Sequence, residues 1–216
     1  MDRILGLLGL LAIFAAVTPA EELTFEVGFE DAALRLGKTG GYDVVSLAGA
    51  TSISIPGAPA LPQKGVNLVV PQGMRVVAVR ASALESNRLP GRFYVCPSQP
   101  PVPTSDPGIP RFVPPDPAIY ASHSAYPSVP AAFAGQGSMS GYNITSVLVT
   151  PVQYTPAEST LVLNRLISLE LTLEPAELGY LPVGNRNDRT KARIEDDLRS
   201  YVLNPEDLSR FAPPSR

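Results

Sequence analysis

Thr150 to Leu173 reads TPVQYTPAESTLVLNRLISLELTL, and its second half decides the fold. From Leu161 onward Leu161, Leu163, Ile167, Leu169, Leu171 and Leu173 share one face of an extended chain, whereas a helix would scatter them around its circumference. Only Arg165 interrupts that face, which predicts an edge or end position where the guanidinium reaches water. Pro151 and Pro156 lie upstream, and proline fixes φ and lacks an N–H, so such residues sit at the mouths of strands rather than inside a sheet.

The same grammar recurs along the chain. Leu23, Phe25, Val27 and Phe29 alternate with Thr24, Glu26 and Gly28, a half-buried strand. Tyr42 to Leu47 and Thr51 to Ile55, with Ile53 and Ile55 in phase, predict a hairpin through Ala48-Gly49-Ala50, closed by Pro56-Gly57. Val66, Leu68 and Val70 form another apolar face, and Pro71-Gln72-Gly73 predicts a tight turn and a second hairpin into Met74 to Ser82. Tyr142 to Val149 is again a strand. Between Pro97 and Pro130 the period vanishes among closely spaced prolines, which predicts an extended, polyproline-like loop, either functional or a spacer hugging the surface. The expected fold is all-β: an antiparallel, jelly-roll-like β-sandwich with a long proline-rich loop and a short helical C-terminal tail.

Composition agrees. A chain of 216 residues, 44% hydrophobic and 17% charged, suffices for one domain that buries roughly 70% of its unfolded surface. A net charge of -3 supplies no basic field for a phosphate backbone, so no nucleic-acid partner is expected. Met1-Asp2-Arg3, the apolar run from Ile4 to Val17 and the small residues Thr18-Pro19-Ala20 have the layout of a secretory signal peptide cleaved after Ala20. The run is shorter than the roughly 20 residues a spanning helix needs, so no stable membrane span is expected after cleavage. The expected location is secreted, at the cell surface or in the periplasm. After Pro182 the stretch GNRNDRTKARIEDDLRS carries mixed charge like an exposed linker. Ile194, Leu198 and Tyr201-Val202 could still line a short amphipathic helix, and Asn204-Pro205 opens a further helical turn with Asn204 as N-cap. The expected organisation is thus 1–20 signal, 21–182 sandwich and 183–216 linker and helical tail.

Catalytic chemistry is sparse. Cys96 is the only cysteine, so no internal disulfide can form, and His123 is the only histidine that could activate it. No spacing brings the two together, and a core thiol with a surface histidine is the reading the sequence favours. Glu195-Asp196-Asp197 suggests calcium at first sight, but adjacent carboxylates on a helix point in different directions, so a solvated face is expected. No metal or cofactor is expected. Asn143-Ile144-Thr145 is a glycosylation sequon inside a predicted strand, read as incidental.

The order of the motifs carries a family resemblance. Gly57-x-Pro59-x-Leu61-Pro62, the strand Val66 to Pro71 and Met74 to Val79 resemble the first half of the propeptide of gingipain-type cysteine peptidases. Tyr126-Pro127, the strand Gly141 to Pro151, Gln153-Tyr154-x-Pro156, the strand Leu161 to Leu173 and the segment Ile194 to Asn204 resemble the second half. The resemblance spans roughly residues 24–204.

It implies a β-sandwich that helps its peptidase domain to fold and occludes the active-site cleft until cleavage releases it, with no catalytic residue of its own. It also implies a loop that presents a basic side chain to the specificity pocket. Arg111, in Ile109-Pro110-Arg111-Phe112, is the positional candidate, since prolines hold a loop extended as a substrate-like inhibitor requires; a solvent-facing arginine is the competing reading. Arg186, Arg189, Arg193 and Arg199 are candidate processing points in an exposed segment. The family's catalytic domain would begin where this sequence ends, which leaves a propeptide acting in cis or a prodomain acting in trans. The alternative function is a free-standing surface module that binds protein or carbohydrate, which clustered exposed aromatics would favour.

Overall fold

The computed structural model describes residues 20–101, 111–176 and 187–213. Among the described residues ten strands, all paired antiparallel, build two four-stranded sheets and a hairpin. The first sheet runs β1 (Glu21–Gly28), β10 (Thr160–Pro175), β6 (Met74–Arg88), with β9 (Val152–Thr155) also on β10. The second runs β4 (Thr51–Ser52), β5 (Pro62–Val70), β8 (Tyr142–Val149), β7 (Ala131–Met139). β2 (Leu34–Thr39) and β3 (Tyr42–Leu47) form the hairpin.

The two sheets face each other across one core, as expected of a sandwich. Leu161, Leu163, Ile167, Leu169, Leu171 and Leu173 of β10 are fully buried and meet Val66, Leu68 and Val70 of β5 and Val147 and Val149 of β8. Period two thus read the faces of β5 and β10 correctly. Pairing partners are another matter, because alternation says which side a residue faces and not which strand lies beside it.

Both expected hairpins are corrected. β3 pairs with β2 across Gly40-Gly41, whose φ values of 54 and 87 are the left-handed pair a two-residue turn needs. β4 instead joins β5, and Ile55 is exposed, out of phase with buried Ile53. The Pro71-Gln72-Gly73 turn does form, yet it carries the chain from β5 in one sheet to β6 in the other. A polar clasp holds that crossing. Asn143 Nδ2 donates to the Pro71 and Met74 carbonyls, each at 2.8 Å, while Gln136 accepts from Val76 N at 2.9 Å and donates to Met74 O at 2.8 Å. Asn143 is fully buried there, so the folded domain leaves no room for a glycan on the sequon.

Arg165 is no edge residue either, since β10 lies between β1 and β6. It is the extra residue of a bulge between Asn164 and Leu166, and bulging turns its side chain out of the core. Its Nε donates to Asp31 Oδ1 at 2.9 Å and Nη2 to Oδ2. The Arg165 hydrogen bond holds the Asp31 carboxyl below its ordinary range, so this contribution is complete above the unfolded pKa and is lost as pH falls through the folded value.

The charged tail is docked rather than exposed throughout. α1 (Pro117–Tyr120) is a single turn after the proline-rich stretch, and α2 (Asp188–Arg199) is capped by Asn187, which accepts from Thr190 N at 2.9 Å. Leu198, Val202, Leu208 and Phe211 are buried with Val69, Tyr142 and Ile144 on the outer face of the β5–β8 pair. Pro205–Leu208 forms the expected helical turn, but Asn204 does not cap it with the usual bond. Its amide instead pairs with the edge of β5.

Candidate functional site: the proline loop and its mount

The loop that leaves at Pro97 and returns at Pro117 stands on the Gly57-to-Pro62 motif. Ala60 N donates to Cys96 O at 2.9 Å, Ser98 N to Ala58 O at 2.7 Å and Gly57 N to Ser98 O at 2.9 Å, fastening the outgoing leg. Asp116 N donates to Gly57 O at 2.9 Å, fastening the returning one. Gly57 has φ +83, so the motif's glycine answers a backbone requirement, while a Cβ there would make only ordinary contacts with Pro114 O at 3.4 Å and Asp116 at 3.6 Å. Replacing Gly57 by alanine should cost about 1–2 kcal/mol of stability, read as a lower urea midpoint, because an L residue is strained in that conformation.

Higher up, Gln99 closes the mouth. Its Oε1 accepts from Val113 N at 2.8 Å and its Nε2 donates to Val113 O at 3.0 Å, the two bonds a strand partner would make. The chain between Gln99 and Val113 is therefore a closed loop on a fixed stem, a layout common in functional surface loops. Arg111 and Phe112 are exposed on its returning leg. Residues 102–110, the middle of the expected loop, lie outside the described residues.

Aromatic rings line the foot of that leg. Phe112 lies 6.0 Å from Tyr42, Tyr42 stacks on Tyr94 at 5.1 Å, Tyr94 meets Tyr120 edge-on at 5.7 Å and Tyr120 meets Tyr154 at 6.2 Å. The series runs from solvent to a fully buried ring. Burial pushes the Tyr120 and Tyr154 hydroxyls above their ordinary pKa, and they donate to Val95 O at 2.7 Å and Phe93 O at 2.9 Å. The other half of the motif set closes on itself: Tyr126 and Tyr154 exchange backbone bonds of 2.7 and 2.8 Å, and Gln153 Nε2 donates to Pro127 O at 2.8 Å. The Tyr126–Pro127 peptide is cis.

Other candidates disperse. Cys96 is half-buried with its thiol 3.7 Å from Pro97 O, and burial pushes its pKa up, which disfavours the thiolate. Its reaction with a disulfide reagent at pH 8 should be at least about tenfold slower in the folded chain than in urea; equal rates would show an open thiol. His123 is exposed. Glu195 receives the Tyr142 hydroxyl at 3.4 Å and Asp196 lies 3.9 Å from Arg199, and among the described residues no His, Cys, Asp or Glu cluster is arranged to hold a metal. Arg189, Arg193 and Arg199 are exposed on α2, whereas Arg186 falls outside the described residues. Ala20, the expected signal boundary, is the first described residue, exposed just before β1.

Sequence reasoning missed Gln99, Gly57 as a mount and the ring series. Gln99 carries no local signal, because its partner lies across the loop.

A profile of the Propeptide_C25 family matches residues 21–203. No curated protein sequence matches the chain. Among solved structures, the chain is similar to one described as the complex of Porphyromonas gingivalis RgpB pro- and mature domains, with TM-score 0.63 and 17% identity over 86% of this chain and 93% of that one. It is also similar to one described as giving insight into zymogenic latency of gingipain K from Porphyromonas gingivalis, with TM-score 0.56 and 24% identity over 76% of this chain and 97% of that one. The family match therefore shows that this chain belongs to the Propeptide_C25 family and is a pro-domain, not a catalytic domain.

Proposed function

We propose that this pro-domain assists the folding of a gingipain-like cysteine peptidase domain and occludes its active-site cleft until proteolysis separates the two, in cis or in trans. The observation that carries the reading is the loop stem, where Gln99 is fastened to Val113 with Arg111 exposed two residues before it, because an inhibitor that imitates substrate gains affinity when the residues flanking its contact are held before binding. In this reading Arg111 enters the specificity pocket and the contact buries roughly 1,600 Å² in total, the size typical of protease inhibitors. Support comes from the family match and from two structural relatives whose descriptions name a pro- and mature-domain complex and zymogenic latency. Residues 1–20 serve as the export signal.

Processing in this reading falls after an arginine of the tail. Peptidases take extended chain, and helix ends open more readily than helix middles, so Arg189 in the first turn of α2 is a better substrate than Arg199 beside buried Leu198. The exposed rings at the loop foot also suit the second reading, a surface module for protein or carbohydrate. Incubating the chain from Glu21 onward with a gingipain-type catalytic domain separates the two. Slowed turnover of a small arginyl or lysyl substrate at micromolar chain, relieved by Arg111→Ala, supports the inhibitor; no binding and no inhibition at that concentration sinks it.

A further inference from the structure

Phe112 and Tyr94 leave 52% and 48% of their surface in water, and Val44, on the same face of β3 as Tyr42, leaves 36%. Phe112 and Tyr94 are joined through the Tyr42 ring, so they form a patch rather than scattered exposed residues. The patch is also stiff. Asp43 N donates to Tyr94 O at 2.8 Å, Tyr94 N donates to the Asp43 carboxylate at 2.7 Å, and Tyr120 buttresses the Tyr94 ring from behind. Rigid, exposed aromatics beside an arginine are the composition of interface hot spots.

Chain continuity says what covers it. Phe112 is bonded to Arg111 and precedes Val113, which Gln99 fastens, so a cleft that encloses the backbone on both sides at Arg111 also reaches Phe112. Two other apolar surfaces are accounted for differently. The outer face of β5–β8 is covered by α2 and the tail, and the edge strand β6 is guarded by bulges beside Val77 and Leu84 and by Arg80, Glu85 and Arg88.

Building on the inhibitory role proposed above, we propose that the Phe112–Tyr42–Tyr94 face is the anchor that holds the pro-domain to the peptidase domain. It packs on an apolar wall beside the cleft and sets the residence time, while Arg111 provides the fit to the pocket. The patch thus separates holding from recognition: a peptidase of different side-chain preference would still be held, with a different residue in the loop.

The test is a binding titration of a gingipain-type catalytic domain with the wild-type chain, Phe112→Ser, Tyr94→Ser and, as an exposed apolar control, Leu84→Ser. Phe112→Ser and Tyr94→Ser should each weaken Kd by about 10- to 100-fold, mainly through faster dissociation, and Leu84→Ser should stay within about twofold. Phe112→Ser should melt with the wild type, because its ring is exposed and leaves no cavity. Should the wild type bind while Phe112→Ser and Tyr94→Ser remain within about threefold of it, the anchor is wrong and the inhibitory reading survives. Failure of the wild type to bind removes both. A wild-type dimer in sedimentation that Phe112→Ser converts to monomer assigns the face to a second copy, and glycan binding lost in Tyr94→Ser assigns it to carbohydrate; either overturns the anchor.

Discussion

Leu169→Ala should lower the unfolding free energy by about 3–4 kcal/mol, while Leu84→Ala should change it by less than about 0.5 kcal/mol. Both leucines lie in the β6–β10 pair, and composition does not distinguish them. Leu169 is fully buried in the inter-sheet core, so truncation loses both its transfer free energy and the contacts around the cavity left behind. Leu84 is the extra residue of a bulge on β6, between the partners Ala83 and Glu85, and is 52% exposed. Paired urea titrations read the contrast through the midpoint at constant slope. Equal losses for the two variants would mean that β6 is covered on its outer side and that the sandwich is assembled differently.

Asn204→Ala is the second large effect, expected to cost about 2–4 kcal/mol. The Asn204 side chain imitates a peptide unit: its Oδ1 accepts from Val69 N and its Nδ2 donates to Val69 O, both at 2.9 Å, while Leu203 N donates to Asn67 O at 2.8 Å. The tail thereby satisfies an edge of β5 that the short strand β4 does not reach. Alanine leaves the N–H and C=O of fully buried Val69 without partners, and an unmet buried polar group costs more than a met one contributes. Asn204→Asp should be at least as damaging at pH 7, because it replaces the amide donor by a carboxylate facing both Val69 O and Asp207. Lowering the pH toward about 4 should recover part of that loss, since a protonated carboxyl can donate again. Amide exchange at Val69 is the local readout. Protection unchanged in Asn204→Ala would show that water or another group replaces the amide.

Both expectations bear on the proposed role. The tail is where separation from a peptidase domain is proposed, and it is also a structural part of the domain, through Leu198, Leu208 and Phe211. Cleavage that left α2 and Asn204 in place would leave the sandwich whole; cleavage that removed them would uncover Val69, Tyr142 and Ile144 and open the β5 edge.

Much of the architecture was legible because period two is a local signal. The faces of β1, β5 and β10 follow directly from which positions are apolar, and the tight turn at Pro71-Gln72-Gly73 follows from backbone chemistry. The hairpin of β2 and β3 was legible too, in Gly40-Gly41, but the Ala48-Gly49-Ala50 linker drew the pairing to the wrong neighbour. Arg165 shows a subtler limit. One polar residue in an apolar face reads as an edge, yet a bulge in a central strand exposes it equally well, and the bulge depends on the register with β6. At the candidate site the prolines marked the loop, while the clamp that closes it, Gln99 on Val113, joins residues whose contact no local pattern encodes.

By itself, then, the sequence determined an all-β domain, the inward faces of its principal strands, a proline-rich loop and the ordered motifs that identify the family. Alternation and proline stereochemistry act within a few residues, so they survive without any knowledge of the fold. Tertiary structure alone decided which strands pair, that the charged tail is part of the domain, and that Gly57, Gln99 and the rings of Tyr42, Tyr94 and Phe112 surround the root of the loop. These depend on contacts between distant parts of the chain, where burial and hydrogen-bond satisfaction over the whole molecule choose among arrangements that local chemistry leaves equal.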